Sequence, residues 1–472
     1  MKPAVKKGDI LELTIDDLAF GARGVARMDG FVWFIRGAIP GQTVQAKVRR
    51  VRKDYGEATV HEIVEPSPNQ VEPPCPYFGT CGGCQLQHLE YELQVEYKTR
   101  QIRELLSRVG GFENPPVHPT LPADPVYAYR NKMEFTFSDR RWIVEGENDD
   151  LPEDFALGLH VPGRFDKVLH LESCLLQSEA CSRILRTLGQ LTRDTGLPAY
   201  NIRNHTGFWR FLVLREGKET GDLLLNLITS SQAPDRGKET LDWIVHKLFW
   251  RHPEISTVIH TISDSRAQVA LGEPERLLLG LGQITEKIGE KEFTISPDAF
   301  FQTNTSQTLN LFETIGRLAQ LKGTETLYDL YCGTGAIGIY LSDRVSRIIG
   351  IEAIVSAVQD GKENIARNHV KNMDIIQGDM RDILRKSHSL LKKHPPDLVI
   401  LDPPRGGPHP HTIRDLAVMA PPRLIYVSCN PGILARDLKR LCEEGFQLEE
   451  VQPVDMFPHT GHIETVALLT KK

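Results

Sequence analysis

The chain has 472 residues, about three domains of ordinary size, and its 40% hydrophobic and 25% charged content suits a globular protein with a core in each domain. A net charge of −6 gives no general sign of a nucleic-acid binder. The N-terminal residues lack the apolar stretch of a signal peptide, and no apolar run approaches the ~18 residues of a membrane span.

A cytoplasmic chain with no membrane partner is therefore expected. Its eight cysteines would be reduced there, and are candidates for metal binding or catalysis before disulfides. From residue 8 to 64 apolar and polar residues alternate, as in ILELTI, FVWFIRGA and TVQAKVRRV, with glycines between the runs. This predicts a small β-barrel. Between Asp29 and Asp54 stand Arg36, Lys47, Arg49, Arg50, Arg52 and Lys53 and no acid. Such a cluster is either an electrostatic footprint for nucleic acid or a solvated strand face.

Pro66-Ser67-Pro68 and Pro73-Pro74 read as a linker. Cys75, Cys81 and Cys84 then pack three thiols into ten residues, with Cys174 or Cys181 available as a fourth. Spacing alone leaves a four-thiolate zinc site and an iron–sulfur cluster equally open, with no metal at all as the lesser alternative. Cys181 falls inside a predicted helix, which favours a core role. Residues 85–112 carry apolar residues at helical spacing and stop at Gly110-Gly111. From about 125 to 285 strand-like and helical segments mix without regular alternation. From about 290 strands and helices alternate, through ETLYDLYC, GAIGIYLSDR, RIIGIE, AVQDGKENIARNH, MDIIQGD, MRDILRKSHSLLKK, DLVILDPP, LIYVSCN and ILARDLKRLCEEG. That pattern predicts a doubly wound α/β sheet.

Within that sheet, YDLYCGTGAIGIYL satisfies G-x-G-x-x-G at Gly333, Gly335 and Gly338, and Glu352 ends the next strand, where an acid takes ribose hydroxyls. Two cofactors fit: a nicotinamide dinucleotide, which would make the protein an oxidoreductase, or S-adenosylmethionine. VILDPPRGG favours the second by setting Asp402 before two prolines, suited to positioning a planar base or a sulfonium methyl group. Arg405 stands where enzymes that methylate exocyclic amines carry a stacking aromatic, which disfavours an amine acceptor. In LIYVSCNPG, Cys429 precedes a helix cap, Asn430, and Pro431, so the helix dipole is expected to lower its thiol pKa. A thiolate there suits addition to C6 of uracil, which makes C5 able to accept a methyl group. The C5 proton must then leave. Glu464, where the polar DMFPHTGH loop becomes the final strand, is the candidate base. His459 and His462 stand nearby, with packing as their plainer role; Cys332 and Cys442 read as structural.

In this order, DLYCGTGAIG, DPPRGG, SCNPG and FPHTGHIETVALL resemble the RNA 5-methyluridine methyltransferases, which act on tRNA or 23S ribosomal RNA. LAFGARGVARMDGFVWFIRGAIPGQ resembles the TRAM domain, an OB-like RNA-binding barrel. The resemblance implies Cys429 as nucleophile, Glu464 as base, and Gln302, Tyr331, Glu352 and Asp402 as contacts for S-adenosylmethionine. Asp379 is a further candidate, facing the adenine. Ala336 departs from members with a polar residue at that place. The resemblance also selects Cys75, Cys81, Cys84 and Cys174 as ligands of a [4Fe–4S] cluster. The expected fold is multidomain: a TRAM barrel over 1–66, an α+β central domain with the cysteine site over 67–90 and 125–285, and a Rossmann-like methyltransferase domain over 91–124 and 286–472. The expected partner is structured RNA, 23S ribosomal RNA over tRNA, bound by a monomer. A non-catalytic RNA-binding protein is the remaining reading, resting only on the barrel and its basic stretch.

Overall fold

A computed structural model describes residues 5–144, 147, 151–386 and 393–472. Near the N-terminus, β1 (Ile10–Thr14), β2 (Asp17–Ala19), β3 (Arg23–Met28), β4 (Phe31–Arg36), β5 (Thr43–Val51) and β6 (Tyr55–Glu65) form one curled sheet in the order β1-β5-β6-β4-β3-β2. Alternation in FVWFIR sends Phe31, Trp33 and Ile35 inward. Trp33 is fully buried, and a Cβ at Gly56 would lie 2.3 Å from its ring, so only glycine lets β6 pass. The basic residues of the acid-free stretch are exposed. The Arg36 pKa is lowered by burial and by repulsion from Arg23 and Arg49, so these guanidinium groups crowd one another.

The helix α1 (Tyr91–Arg108) follows. Residues 85–90, expected to begin it, instead form a loop, because Leu86 and Leu89 insert among Leu18, Ala22 and Ile39 of the N-terminal unit. Such packing outweighs helical spacing when the buried side chains face a neighbouring unit.

The middle of the chain builds β7 (Lys132–Ser138), β8 (Ala156–His160), β9 (Val168–His170), α2 (Glu179–Asp194), β10 (Trp209–Glu216), β11 (Leu223–Thr229), α3 (Pro234–Arg251), β12 (Thr257–Ile262) and β13 (Glu273–Leu279). The strands make one mixed sheet, β13-β12-β11-β10-β7-β8-β9, in which β11 and β12 pair in parallel. On α2, Ser178 caps the N-terminus and Cys181, Ile184, Leu185, Leu188 and Leu191 fall on the buried face.

After a hairpin of β14 (Ile284–Ile288) and β15 (Lys291–Ile295) come α4 (Thr305–Ala319), β16 (Thr326–Leu330), α5 (Ala336–Leu341), β17 (Arg347–Glu352), α6 (Val355–Arg367), β18 (Met373–Gln377), α7 (Met380–Lys386), β19 (Leu398–Leu401), α8 (Pro410–Met419), β20 (Arg423–Ser428), α9 (Pro431–Glu443), β21 (Phe446–Val454) and β22 (Glu464–Lys471). The helical run MRDILRKSHSLLKK is described over α7; its continuation at 387–392 lies outside the described residues. These strands form a second seven-stranded sheet, β18-β17-β16-β19-β20-β22-β21, parallel except for β22. Its two faces are covered by separate apolar cores, one including α4 and the other including Ile102 and Leu106 of α1. Among the described residues no helix is long and apolar enough to cross a membrane.

The three units meet at the turn from Asp455 to Gly461. Lys98 of α1 forms an ion pair with Asp455 at 2.6 Å, with both side chains buried. The Tyr91 hydroxyl donates to Asp455 at 2.9 Å, and Lys98 also donates to the Phe457 carbonyl at 3.2 Å. Breaking a buried pair leaves one charge uncompensated, so Lys98→Met should cost about 3–5 kcal/mol in urea unfolding of the full chain. A loss below ~1 kcal/mol would mean that water reaches the pair.

Candidate active site

The carboxyl edge of the second sheet is set by register. Leu330 pairs with Ile351 on one side and Leu401 on the other, so the next residues, Tyr331, Glu352 and Asp402, stand at one level of three adjacent strands. Between them the chain turns through Tyr331, Gly333 and Gly335, all with positive φ. A Cβ at Gly333 would meet nothing within 4 Å, so the glycine serves backbone conformation at an open edge. Glu352 stiffens this turn: one carboxylate oxygen accepts the Gly333 N–H at 3.0 Å, and the other accepts those of Ala353 and Ile354.

Asp329, completely buried in β16, accepts the Gly338 N–H at 3.1 Å through one oxygen, while Oδ1 has no partner among the described residues. Burial, with Asp402 and Glu352 nearby, pushes its pKa to about 7. Burial pushes Asp402 to about 7 as well. The crevice is thus lined by crowded acids that resist carrying charge together. Gln302 lies on the segment between β15 and α4, where its carbonyl accepts the Asn131 amide at 2.9 Å. Asp379 is different. It is exposed, Arg381 engages both its oxygens at 2.9 and 2.8 Å, and its pKa falls to about 2.

Ser428 pairs with Thr465 across β20 and β22, and Val454 with Glu464 across β21 and β22. Continuing that antiparallel register brings Cys429 to the level of Glu464. As expected, the Asn430 side chain caps α9 by accepting the Ile433 N–H at 3.3 Å, with Pro431 opening the helix. The expected lowering of the Cys429 pKa is not found. Burial, then repulsion from Glu464 and Asp402, push the thiol up to about 11, and Arg405 only partly opposes this. Desolvation of a thiolate between two acids outweighs a helix terminus. Glu464 is itself buried, and its pKa is raised well above the carboxylate range by burial and Asp402, with Arg405 again opposing.

His459 is a packing residue. Its ring stacks on Tyr127 with centroids 4.3 Å apart, its Nδ1 bonds Gln94 at 3.2 Å, and burial lowers its pKa to about 4. His462 is exposed and stands edge-on to Phe457. Three features were missed in the sequence: the orphaned oxygen of Asp329, the electrostatic effect of Arg405 on both Cys429 and Glu464, and the Lys98–Asp455 pair at the start of the turn. Only Asp329, an acid inside an apolar strand, left a readable signal.

Cys75, Cys81, Cys84 and Cys174 all line one cavity of about 350 Å³, together with Tyr77, Arg130 and Phe301 among others. Burial and mutual repulsion raise Cys81 to about 11 and Cys84 to about 12. Among the described residues, no group of three or more such side chains is arranged to hold a single metal ion. Cys181 is buried in the central core, as its place on a helix implied.

The second sheet is thus Rossmann-like, with an acid-lined crevice at its carboxyl edge. The family described as tRNA (Uracil-5-)-methyltransferase matches residues 275–472, and the TRAM domain family matches residues 4–61. An uncharacterised RNA methyltransferase of Chlorobaculum tepidum is 39% identical over 98% of this chain and 96% of its own. Another, from Clostridium acetobutylicum, is 37% identical over 99% of each. The crystal structure of the Pyrococcus abyssi tRNA (uracil-54, C5)-methyltransferase in complex with S-adenosyl-L-homocysteine matches with a TM-score of 0.75 and 27% identity, covering 98% of this chain and 100% of that one. The chain belongs to the RNA (uracil-5-)-methyltransferase family. That membership decides for methyl transfer over an oxidoreductase or a non-catalytic RNA-binding protein.

A thiol with a pKa of about 11 is almost wholly neutral at pH 8. Alkylation of Cys429 by iodoacetamide, followed on its own peptide by mass spectrometry, should therefore rise about tenfold per pH unit from 8 to 10. Arg405→Gln should slow it further, because the lost cation favours the thiolate. A rate that levels off below pH 8 would contradict the raised pKa.

Proposed function

We propose that this enzyme forms 5-methyluridine in structured RNA, using S-adenosylmethionine and a covalent bond between Cys429 and C6 of the target uracil. The register of β20, β21 and β22, which gathers Cys429 and Glu464 beside Asp402, carries this reading. Gln302, Tyr331, Glu352 and Asp402 would hold the methyl donor. The crowded acids Asp329, Glu352 and Asp402 fit a cationic ligand better than the anionic pyrophosphate of a dinucleotide. S-adenosylmethionine supplies an electrophilic methyl group on a positively charged sulfur.

The chain's own residues do the rest. The Cys429 thiolate bonds to C6, and the C5=C6 electron pair moves through C4 onto its oxygen as an enolate. C5 then takes the methyl group as the bond from that carbon to the donor sulfur breaks. Glu464 removes the C5 proton; the released pair re-forms C5=C6 and expels the thiolate. Burial gives Glu464 the high proton affinity such a base needs, and Arg405 favours the ionised forms of both Cys429 and Glu464.

The exposed basic residues of the TRAM unit, Arg49, Arg50, Arg52 and Lys53 among them, suit contact with RNA phosphates. We favour 23S ribosomal RNA, from the pairing of a TRAM unit with a cysteine site. The relative from Pyrococcus abyssi acts on tRNA, which makes tRNA the second reading. Mapping 5-methyluridine in both RNAs by mass spectrometry, from cells with and without the gene, decides between them.

The cysteine cavity suits a metal centre by its donor set, though its thiols are not gathered around a single point: all four line one cavity and are hard to ionise, and a cationic centre there would stabilise them as thiolates. A [4Fe–4S] cluster is the proposed occupant, with a structural role, since methyl transfer needs no redox step. Protein purified without oxygen should be brown and contain iron and sulfide in near-equal amounts. The iron should be lost when Cys75, Cys81, Cys84 or Cys174 is changed to Ser. Stoichiometric zinc without iron would replace the cluster by a zinc site.

For the chemistry, Glu464→Gln keeps size and hydrogen bonding but removes the proton acceptor. This variant should stall after methylation with RNA covalently held through Cys429, seen as a slow band on denaturing gels. Adding Cys429→Ala should abolish the band. Turnover at the wild-type rate with no trapped RNA would show that another group takes the proton.

A further inference from the structure

The segment Ala128–Asn131 lies between the cysteine cavity and the stretch that carries Gln302. On one side Ala128 and Arg130 donate their N–H groups to the carbonyls of Leu175 and Leu176, next to Cys174, both at 2.8 Å. On the other side Arg130 forms an antiparallel bridge with Asn304. Asn131, only 6% exposed, then directs every donor it has at three residues of the Gln302–Thr305 segment. Its backbone N–H reaches the Thr303 carbonyl at 2.9 Å, and its side-chain amide reaches the Gln302 carbonyl at 2.9 Å and the Thr305 hydroxyl at 3.0 Å. Its own carbonyl accepts the Glu216 N–H at 2.8 Å, which anchors Asn131 to β10.

The chemistry of those acceptors is selective. The Thr305 hydroxyl already donates its proton to Glu286 at 2.6 Å, so toward residue 131 it offers only lone pairs. The Gln302 carbonyl offers only lone pairs as well. A short side chain with two protons on one nitrogen satisfies both; a carboxylate of the same size would face two oxygens with no proton to share. Upstream, Arg215 of β10 donates to the carbonyls of Pro297 and Ala299. Arg215 of β10 and Asn131, just ahead of β7, thus hold this segment at its two ends, although it belongs to the chain leading into α4.

We propose that Asn131 is a positioning residue for the methyl donor: it fixes the backbone at Gln302 so that the Gln302 side chain meets S-adenosylmethionine. This rests on the reading that Gln302 contacts the donor. It predicts an effect on donor binding, separate from RNA binding and from the chemical step, because the Asn131 side chain bonds only within the Gln302–Thr305 segment.

The test is calorimetric binding of S-adenosylhomocysteine to the full-length protein, with Michaelis kinetics and RNA binding on the same preparations. Asn131→Asp should weaken S-adenosylhomocysteine about tenfold, the scale of losing a buried hydrogen bond with its acceptor left unpaired. KM for S-adenosylmethionine should rise similarly, while kcat and RNA affinity stay within about twofold. Thr305→Val, which removes one of the two acceptors, should shift binding the same way by about threefold, and serves if Asn131→Asp does not fold. Gln302→Ala is the control. If it weakens S-adenosylhomocysteine while the Asn131 and Thr305 variants bind normally, the positioning role is wrong. If Gln302→Ala itself binds normally, the assigned donor contact fails and the positioning role goes with it. Parallel losses of kcat, RNA affinity and thermal stability in both variants would reduce Asn131 to a general fold residue and overturn the proposal.

Discussion

The turn from Asp455 to Gly461 is the constraint on which the rest of this protein depends. Its buried Lys98–Asp455 pair removes two charges from water, which is favourable only with good geometry and further hydrogen bonds. The surroundings supply them. Gln307 of α4 donates to the Asp455 carbonyl, Asn304 to that of Met456, and Tyr129 to that of Pro458. Gln85 and Leu86, just after Cys84, both donate to the His459 carbonyl. At the far end, a Cβ on Gly461 would lie 2.5 Å from the backbone of Gly21 in the TRAM unit. One short turn therefore touches all three units, and three residues beyond it the chain reaches Glu464. The position of the proposed base is a property of the whole assembly rather than of its own strand.

Electrostatics follows from the same enclosure. Asp329, Asp402, Glu464 and Cys429 are each pushed toward their neutral forms by burial, and all but Asp402 further by acidic neighbours. Arg405 is the cation that opposes this at both Cys429 and Glu464. Such a site holds its reactive groups in check until positive charge or a hydrogen-bond donor enters, which a cationic methyl donor provides. The cysteine cavity obeys the same rule at a separate place, with thiols kept neutral by burial and by each other.

The two halves of the proposed donor site come from different units. Tyr331, Glu352 and Asp402 stand on adjacent strands of the second sheet, whereas Gln302 is held from the central sheet through Asn131. The cavity that holds the four cysteines is also lined by Arg130, Phe301 and Thr303, so it shares a wall with that holding segment. A structural role for a metal centre there would have a physical meaning: it would stiffen the wall shared with the segment that carries Gln302.

Whatever depends on neighbours along the chain was legible from the residues alone. Alternation in FVWFIR marks an inward Trp33; Asn430-Pro431 marks a helix start; the glycines after Asp329 mark a turn at a strand end. These are short-range rules of backbone geometry, and they were enough to place the candidate crevice and thiol. The central sheet was not legible, because β10 is buried along almost its whole length and β11 along all of it, which erases the alternation, while β11 pairs antiparallel with one neighbour and parallel with the other. Nor was the start of α1, which gives way to packing of Leu86 and Leu89 against the TRAM unit. The Cys429 thiol is the clearest case. Its place before a helix was written in SCNPG, yet its pKa is set by burial and by Glu464 and Asp402, brought beside it only by folding. The sequence by itself determined the motifs and the elements that carry them. Tertiary structure alone decided which charges face one another, because desolvation and Coulomb energy depend on distances that no local pattern encodes.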